Sequence, residues 1–162
     1  EESGGRRIKR AVYIDMDSVH FVTEEELIHF RKIKMLRPYL EKKEKEIEAY
    51  NKKFNMDPEV LVNGRRQTNL GIFRAYLKAY LTNREDIRND MTFLVRHLPP
   101  SEKGIPIEIY VFTKTTEWDA YEDIQADIFD LVLAVLPEFG LRVYQFPKSG
   151  DITRLAAKSL NS

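Results

Sequence analysis

Cysteine is absent from this 162-residue chain. That excludes a disulfide framework, a thiolate zinc site and a cysteine nucleophile, and it fits a reducing compartment. Net charge is absent too, because Lys+Arg and Asp+Glu balance at 26 each. A balanced chain carries no overall field to draw it onto nucleic acid or an anionic membrane, although a local patch is compatible with the balance. Apolar runs are short, and the longest, Leu131–Leu136, falls far below the eighteen or so residues that cross a bilayer. No signal-peptide pattern opens the chain. Histidine is scarce, and His20, His29 and His97 are scattered without an HxxxH pair or a neighbouring ligand cluster, so no metal site is expected. No Gly-x-Ser-x-Gly elbow and no phosphate-binding glycine loop is present.

What remains is hydrophobic periodicity. Ile8 to Ile14 alternates as a strand, Met91–Leu98 and Ile105–Thr113 read as two more around the turn Pro99–Gly104, and Leu141–Phe146 alternates again. Thr23 followed by Glu26 is a capping box and starts a helix. Pro38 marks a new first turn, and Tyr39 to Phe54 follows as a charged helix with a thin stripe of Leu40, Ile47, Tyr50 and Phe54. On that helix Glu41 with Lys45 and Glu48 with Lys52 are spaced to pair. Asn55–Gly64 is a connector. Leu70, Phe73, Leu77 and Leu81 give a further helix, in which Gly71 either permits close approach of a neighbour or is simply tolerated. Thr116 and Asp119 are placed to cap the last helix, Pro137 falls in its final turn and Gly140 ends it.

The expected architecture is α+β, a ferredoxin-like α/β sandwich of β-α-β-β-α-β order with a four-stranded antiparallel sheet. Residues 1–7 are a flexible lead-in, 8–150 one domain with a charged helical insert at 24–64 in the first crossover, and 151–162 a tail. Alternation sends Val12, Ile14, Phe93, Val95, Ile107, Ile109, Val111, Leu141 and Val143 to the helix-covered face. The other face takes Lys9, Tyr13, Leu94, Arg96, Tyr110, Phe112, Arg142, Tyr144 and Phe146. A free face is ordinarily polar, and one rich in aromatics and arginine marks a contact surface or is covered by the insert or the tail. Tyr13, Tyr110, Phe112, Tyr144 and Phe146 are therefore the candidate contact residues. Arg6, Arg7, Lys9 and Arg10 form either a basic rim or a solvated lead-in.

Two other chemistries use parts of this pattern. Asp15-x-Asp17 after a first strand is how some phosphatases and polymerases hold Mg²⁺, but no further carboxylate pair ends a later strand, so the two aspartates are read as a turn. Tyr110 and Phe112 with Tyr13 have the spacing of an RNA-stacking sheet, yet the basic–glycine–aromatic pattern is missing and Glu108 shares that face. No catalytic group, cofactor, metal or small-molecule substrate is expected, and no nucleic acid. Trp118 is read as a packing anchor.

Four stretches also carry a family likeness: Thr68–Leu81, Asp90–Pro100, Gly104–Trp118 and Tyr121–Pro147, with Gly4–Asp15 at the front. Together they resemble the cytosolic domain of small-conductance mechanosensitive ion channels (MscS-like), in particular the YbdG-like mini-conductance branch. The likeness is colinear over most of residues 4–150 and weakest from Arg31 to Asn63. The resemblance implies a homo-oligomer, a heptamer, on the cytoplasmic side of the bacterial inner membrane. Membrane segments before Glu1 would gate under tension in hypo-osmotic shock, and this part would build a vestibule.

Overall fold

The computed structural model describes residues 4–146 and Lys158. The tail expected at 151–162, Lys158 apart, lies outside the described residues. The chain is α+β, with a three-stranded antiparallel sheet and four helices. In order these are β1 (Arg7–Ile14), α1 (Glu24–Phe30), α2 (Arg37–Lys53), α3 (Asn69–Thr82), β2 (Leu94–His97), β3 (Ile105–Phe112) and α4 (Trp118–Val135). The strands lie in the order β1-β3-β2. Order begins ahead of β1, because the Arg6 carbonyl accepts from Thr113 N–H (2.9 Å) and Arg6 N–H donates to Thr113 Oγ1 (3.2 Å).

The expected fourth strand is reduced to one antiparallel bridge, Val143 with Ile14, flanked by hydrogen bonds from Asp15 N–H to Arg142 O (2.8 Å) and Tyr144 N–H to Tyr13 O (2.9 Å). Likewise β2 is shorter than the apolar run that suggested it, since Met91–Phe93 stay outside the ladder. Sidedness does follow the alternation. Ile14, Ile107, Ile109 and Val111 are fully buried and Val12 nearly so, with Phe93, Val95 and Val143 half-buried against them. Their partners across the core are Phe73 and Leu77 of α3 and Ile128 and Val132 of α4. Each fully buried aliphatic side chain contributes about 1.5–3 kcal/mol.

Local chemistry explains most helix boundaries. Thr23 and Glu26 form both halves of the capping box at α1, and Pro38 sits in the first turn of α2, where its missing N–H costs nothing. Thr68 caps α3 through Gly71 N–H (3.1 Å). At α4 the expectation needs correcting. Glu117, not Thr116, is the N-cap, and its side chain makes no capping bond; Thr115 Oγ1 accepts from the Glu117 N–H (3.1 Å) and the Thr116 carbonyl accepts from Arg6 (2.8 Å). Pro137 tightens the end of α4 into a 3-10 turn, Leu136–Phe139, and Gly140 closes it at φ 67°, a left-handed conformation that suits glycine. On α2, Glu41–Lys45 and Glu48–Lys52 do not form ion pairs; Glu44 reaches across to Arg31 instead (2.5 Å).

The insert joins the helical side. Phe30 stacks on Phe139 (5.3 Å between centroids), and Phe73 and Tyr76 of α3 close on the same Phe139 ring at 5.5 and 5.3 Å. Leu36 and Leu40 are buried with them, whereas Tyr50 and Phe54 further along α2 remain exposed.

One polar side chain sits at the centre of this junction. Asn69 is fully buried. Its Nδ2 donates to Ser18 O and Phe139 O, both at 2.9 Å, and its Oδ1 accepts from His20 N (3.0 Å) and Leu70 N (2.9 Å). Every hydrogen-bonding position of the amide is used, as burial requires. Asn69→Ala is expected to cost about 2–3 kcal/mol, because it strips partners from buried backbone groups. A urea titration checks this, and a change below experimental error contradicts it.

His20 Nε2 lies 2.8 Å from Glu26 and its Nδ1 faces Ser18 O (3.1 Å). The Glu26 hydrogen bond raises the His20 pKa, against the opposing effect of burial. Burial pushes Glu26 upward, but hydrogen bonds from His20 and Thr23 outweigh it and leave its pKa lowered. A raised folded-state histidine pKa stabilises fully below the unfolded value of about 6.5 and is lost as pH rises through the folded one. His20 is therefore expected to titrate above 6.5 by NMR and to fall in Glu26→Gln; an unshifted His20 in both proteins contradicts the pairing.

Candidate interaction surface

The face of the sheet away from the helices is built by register. Lys9, Tyr110 and Leu94 form one row across the three strands, and Ala11, Glu108 and Arg96 form the next. Arg7 opposes Phe112, and Tyr13 opposes Pro106. The bridge at Val143 then places Tyr144 beside Tyr13. The turn that feeds β3 depends on Gly104 at φ 97°, where a Cβ would meet the Ile14 carbonyl oxygen at 2.4 Å.

Energetically the centre of the face is an ion pair. Arg96 grips the same Glu108 oxygen through Nε (2.8 Å) and Nη2 (2.6 Å), and Glu108 is 7 % exposed while the Arg96 side chain remains 43 % exposed. Both Arg96 and Arg7 lie over the Tyr110 ring, at 5.7 and 5.8 Å from its centroid. Such stacking holds guanidinium groups flat against the sheet and leaves their outer edges open to a partner.

The five candidate contact residues fall into different settings. Tyr13 is 39 % and Phe146 73 % exposed. Tyr110 and Tyr144 are half-buried, Tyr144 lying edge-on to Phe146 at 5.6 Å. Phe112 is buried at 9 % exposure and packs edge-on to Tyr110 (6.1 Å). A pair of rings two apart on β3 thus offers one accessible ring, Tyr110, where base stacking needs both. Of the basic lead-in, Arg6 stacks on Trp118 (4.8 Å) and Arg10 on Phe129 (4.4 Å), so both guanidinium groups are engaged within the chain. Trp118 itself is 55 % exposed, a platform for Arg6 rather than the anchor its composition suggested.

Asp15 and Asp17 form the expected turn. Asp15 Oδ1 accepts from Asp17 N–H (3.0 Å), and its other oxygen pairs with Arg142 (2.9 Å). Among the described residues no group of three or more His, Cys, Asp or Glu side chains is placed to hold a metal ion. No helix of the described residues is long and apolar enough to cross a membrane. Residues that sequence reading passed over are Glu108, seen only as a charge against RNA, and Asn69, hidden inside an amphipathic helix start. The register that pairs Glu108 with Arg96 is not visible without the sheet. No protein-family model matches the chain.

Arg96→Ala leaves Glu108 shielded without its cation and is expected to destabilise by about 1–3 kcal/mol. Adding Glu108→Gln should recover part of that loss. An Arg96→Ala variant as stable as the unaltered protein in chemical denaturation would show that the pair contributes little.

Proposed function

We propose that the chain is the cytosolic part of an MscS-like mechanosensitive channel, contributing to the wall of an oligomeric vestibule rather than to the pore. On this reading the tension sensor and pore belong to membrane segments outside this sequence. The present residues assemble subunits, filter solutes entering the vestibule and couple to the gate. The observation that carries the reading is the open sheet face, where exposed Tyr13 and Phe146 flank half-buried Tyr110 and Tyr144 around a shielded Arg96–Glu108 pair. Aromatic anchors with arginines at their edges are the composition of protein–protein contacts. The colinear likeness over residues 4–150 supplies the family.

We further infer the full ferredoxin-like arrangement, with Leu141–Phe146 as a fourth strand on the outer side of β1. Its support is the antiparallel bridge of Val143 to Ile14, which puts this segment beside β1 opposite β3.

The RNA-binding alternative is disfavoured by the burial of Phe112 and by the acid at the centre of the face. The test is the product of the complete reading frame, solubilised from membranes and weighed by native mass spectrometry. A heptamer that loses subunits in the double variant Tyr13→Ser, Tyr110→Ser is expected, with tension-activated current in patch recordings of the unaltered protein. A soluble product without such current refutes the channel, and an unchanged mass in the variant refutes the contact face.

A further inference from the structure

Away from the sheet, the chain gathers cations around one small pocket. It lies between α2 and the start of α3, has a volume of about 180 Å³, and is lined by Tyr39, Lys43, Arg65, Arg66, Thr68 and Arg74 among others, with no aspartate or glutamate in its wall. Sites for drug-sized ligands run from about 300 Å³ upward, so this pocket suits a small anion or the terminal group of a larger one. We propose that it binds a phosphate group.

Four cationic side chains from three chain segments converge here, in a protein whose total charge is zero. Among the described residues Arg65, Arg66 and Arg74 form no ion pair, and Lys43 has only Glu46, at 3.9 Å, which does not line the pocket. The Nε–H groups of Arg66 and Arg74 are shielded from solvent and meet no acceptor among the described residues. A phosphate group offers oxygens to the cationic side chains that line the pocket, and charge-assisted bonds of this kind are the strong ones.

The pocket is held open by its surroundings. Asn51 clamps the segment that carries the arginines, accepting from Arg65 N–H (2.8 Å) and donating to Arg65 O (3.0 Å). Arg66 also donates to the Pro58 carbonyl, which ties its guanidinium to the connector. Arg65 lies over the Tyr50 ring at 5.6 Å, a contact that fixes the guanidinium without neutralising it. Gly71 lines the pocket, and a Cβ there would stand 3.8 Å from Arg74 Nη2, an ordinary contact, and 3.3 Å from Thr68 Oγ1. The first amides of α3 are already taken, those of Asn69, Leu70 and Gly71 by His20 O, Asn69 Oδ1 and Thr68 Oγ1. The helix start therefore adds only its favourable potential, and the side chains make the bonds.

A phosphate group reaches such a site either as a free phosphate or phosphoester, or on a lipid head. Amide NMR of the protein during titration with inorganic phosphate, alongside flotation with phosphatidic acid vesicles and with phosphatidylcholine vesicles, separates the two. Saturable shifts centred on Gly71 are expected, weakened about tenfold by Arg74→Gln and less by Lys43→Gln, which sits at the solvent edge of α2. Flotation with phosphatidic acid vesicles alone, reversed by inorganic phosphate and lost in Arg74→Gln, assigns the lipid head. Phosphate binding without flotation assigns a free phosphate. Absence of both, or phosphate shifts that Arg74→Gln and Lys43→Gln leave intact in a folded protein, overturns the site.

Discussion

The amide of Asn69 is the constraint on which the rest of this structure depends. One side chain at the start of α3 takes the carbonyl of Ser18 after β1, the backbone N–H of His20 and the carbonyl of Phe139 at the end of the last helix. These groups would otherwise be shielded and unpaired, a cost comparable with a sizeable fraction of the stability of a domain this size. The apolar contacts around it, Phe139 against Phe30, Phe73 and Tyr76, have no direction of their own. The amide supplies the direction. It sets where α3 starts relative to β1 and where the chain turns at Gly140.

Both surfaces to which a role is assigned follow from that junction. On one side, Gly140 releases Leu141–Tyr144 along the end of β1, so that Leu141 and Val143 complete the core and Tyr144 joins Tyr13 on the open face. On the other, the residue before Asn69 is the cap Thr68, and Gly71 and Arg74 follow within the first two turns and line the cationic pocket. A shift of α3 along its axis would disturb both at once. The charged insert, which the channel likeness covers least well, is thereby tied in: Phe30 and Leu36 pack at the same junction, and Lys43 of α2 supplies one wall of the pocket.

Much of this was legible in the residues. The period-two alternation of Ile105–Phe112 and of β1 divides the two faces correctly, because a strand has only two sides. The Thr23–Glu26 box, Pro38, Gly140 and the Leu70–Phe73–Leu77–Leu81 stripe each act locally, and local rules place them. What stayed hidden depends on pairs distant in sequence. Glu108 reads as a surface acid until register puts Arg96 beside it, and Phe112 reads as an open-face ring, whereas it is buried with Tyr110 edge-on to it and Arg7 opposite it. The LRVYQF segment has strand alternation, but alternation does not say how much of a ladder the neighbour offers, and here the pairing amounts to a single bridge. At α4, the Thr116–Asp119 spacing fits a cap, yet the helix starts one residue later, with Glu117 at the N-cap position and no side-chain capping bond.

Native-state hydrogen exchange tests the central claim most directly. If the Asn69 junction holds the fold together, the amides of His20 and Leu70, which donate to its Oδ1, exchange only by global unfolding, with the same protection as Ile107 and Ile109 in the middle of β3. Exchange of His20 and Leu70 through a local opening, at much lower free energy than the sheet centre, would contradict the account.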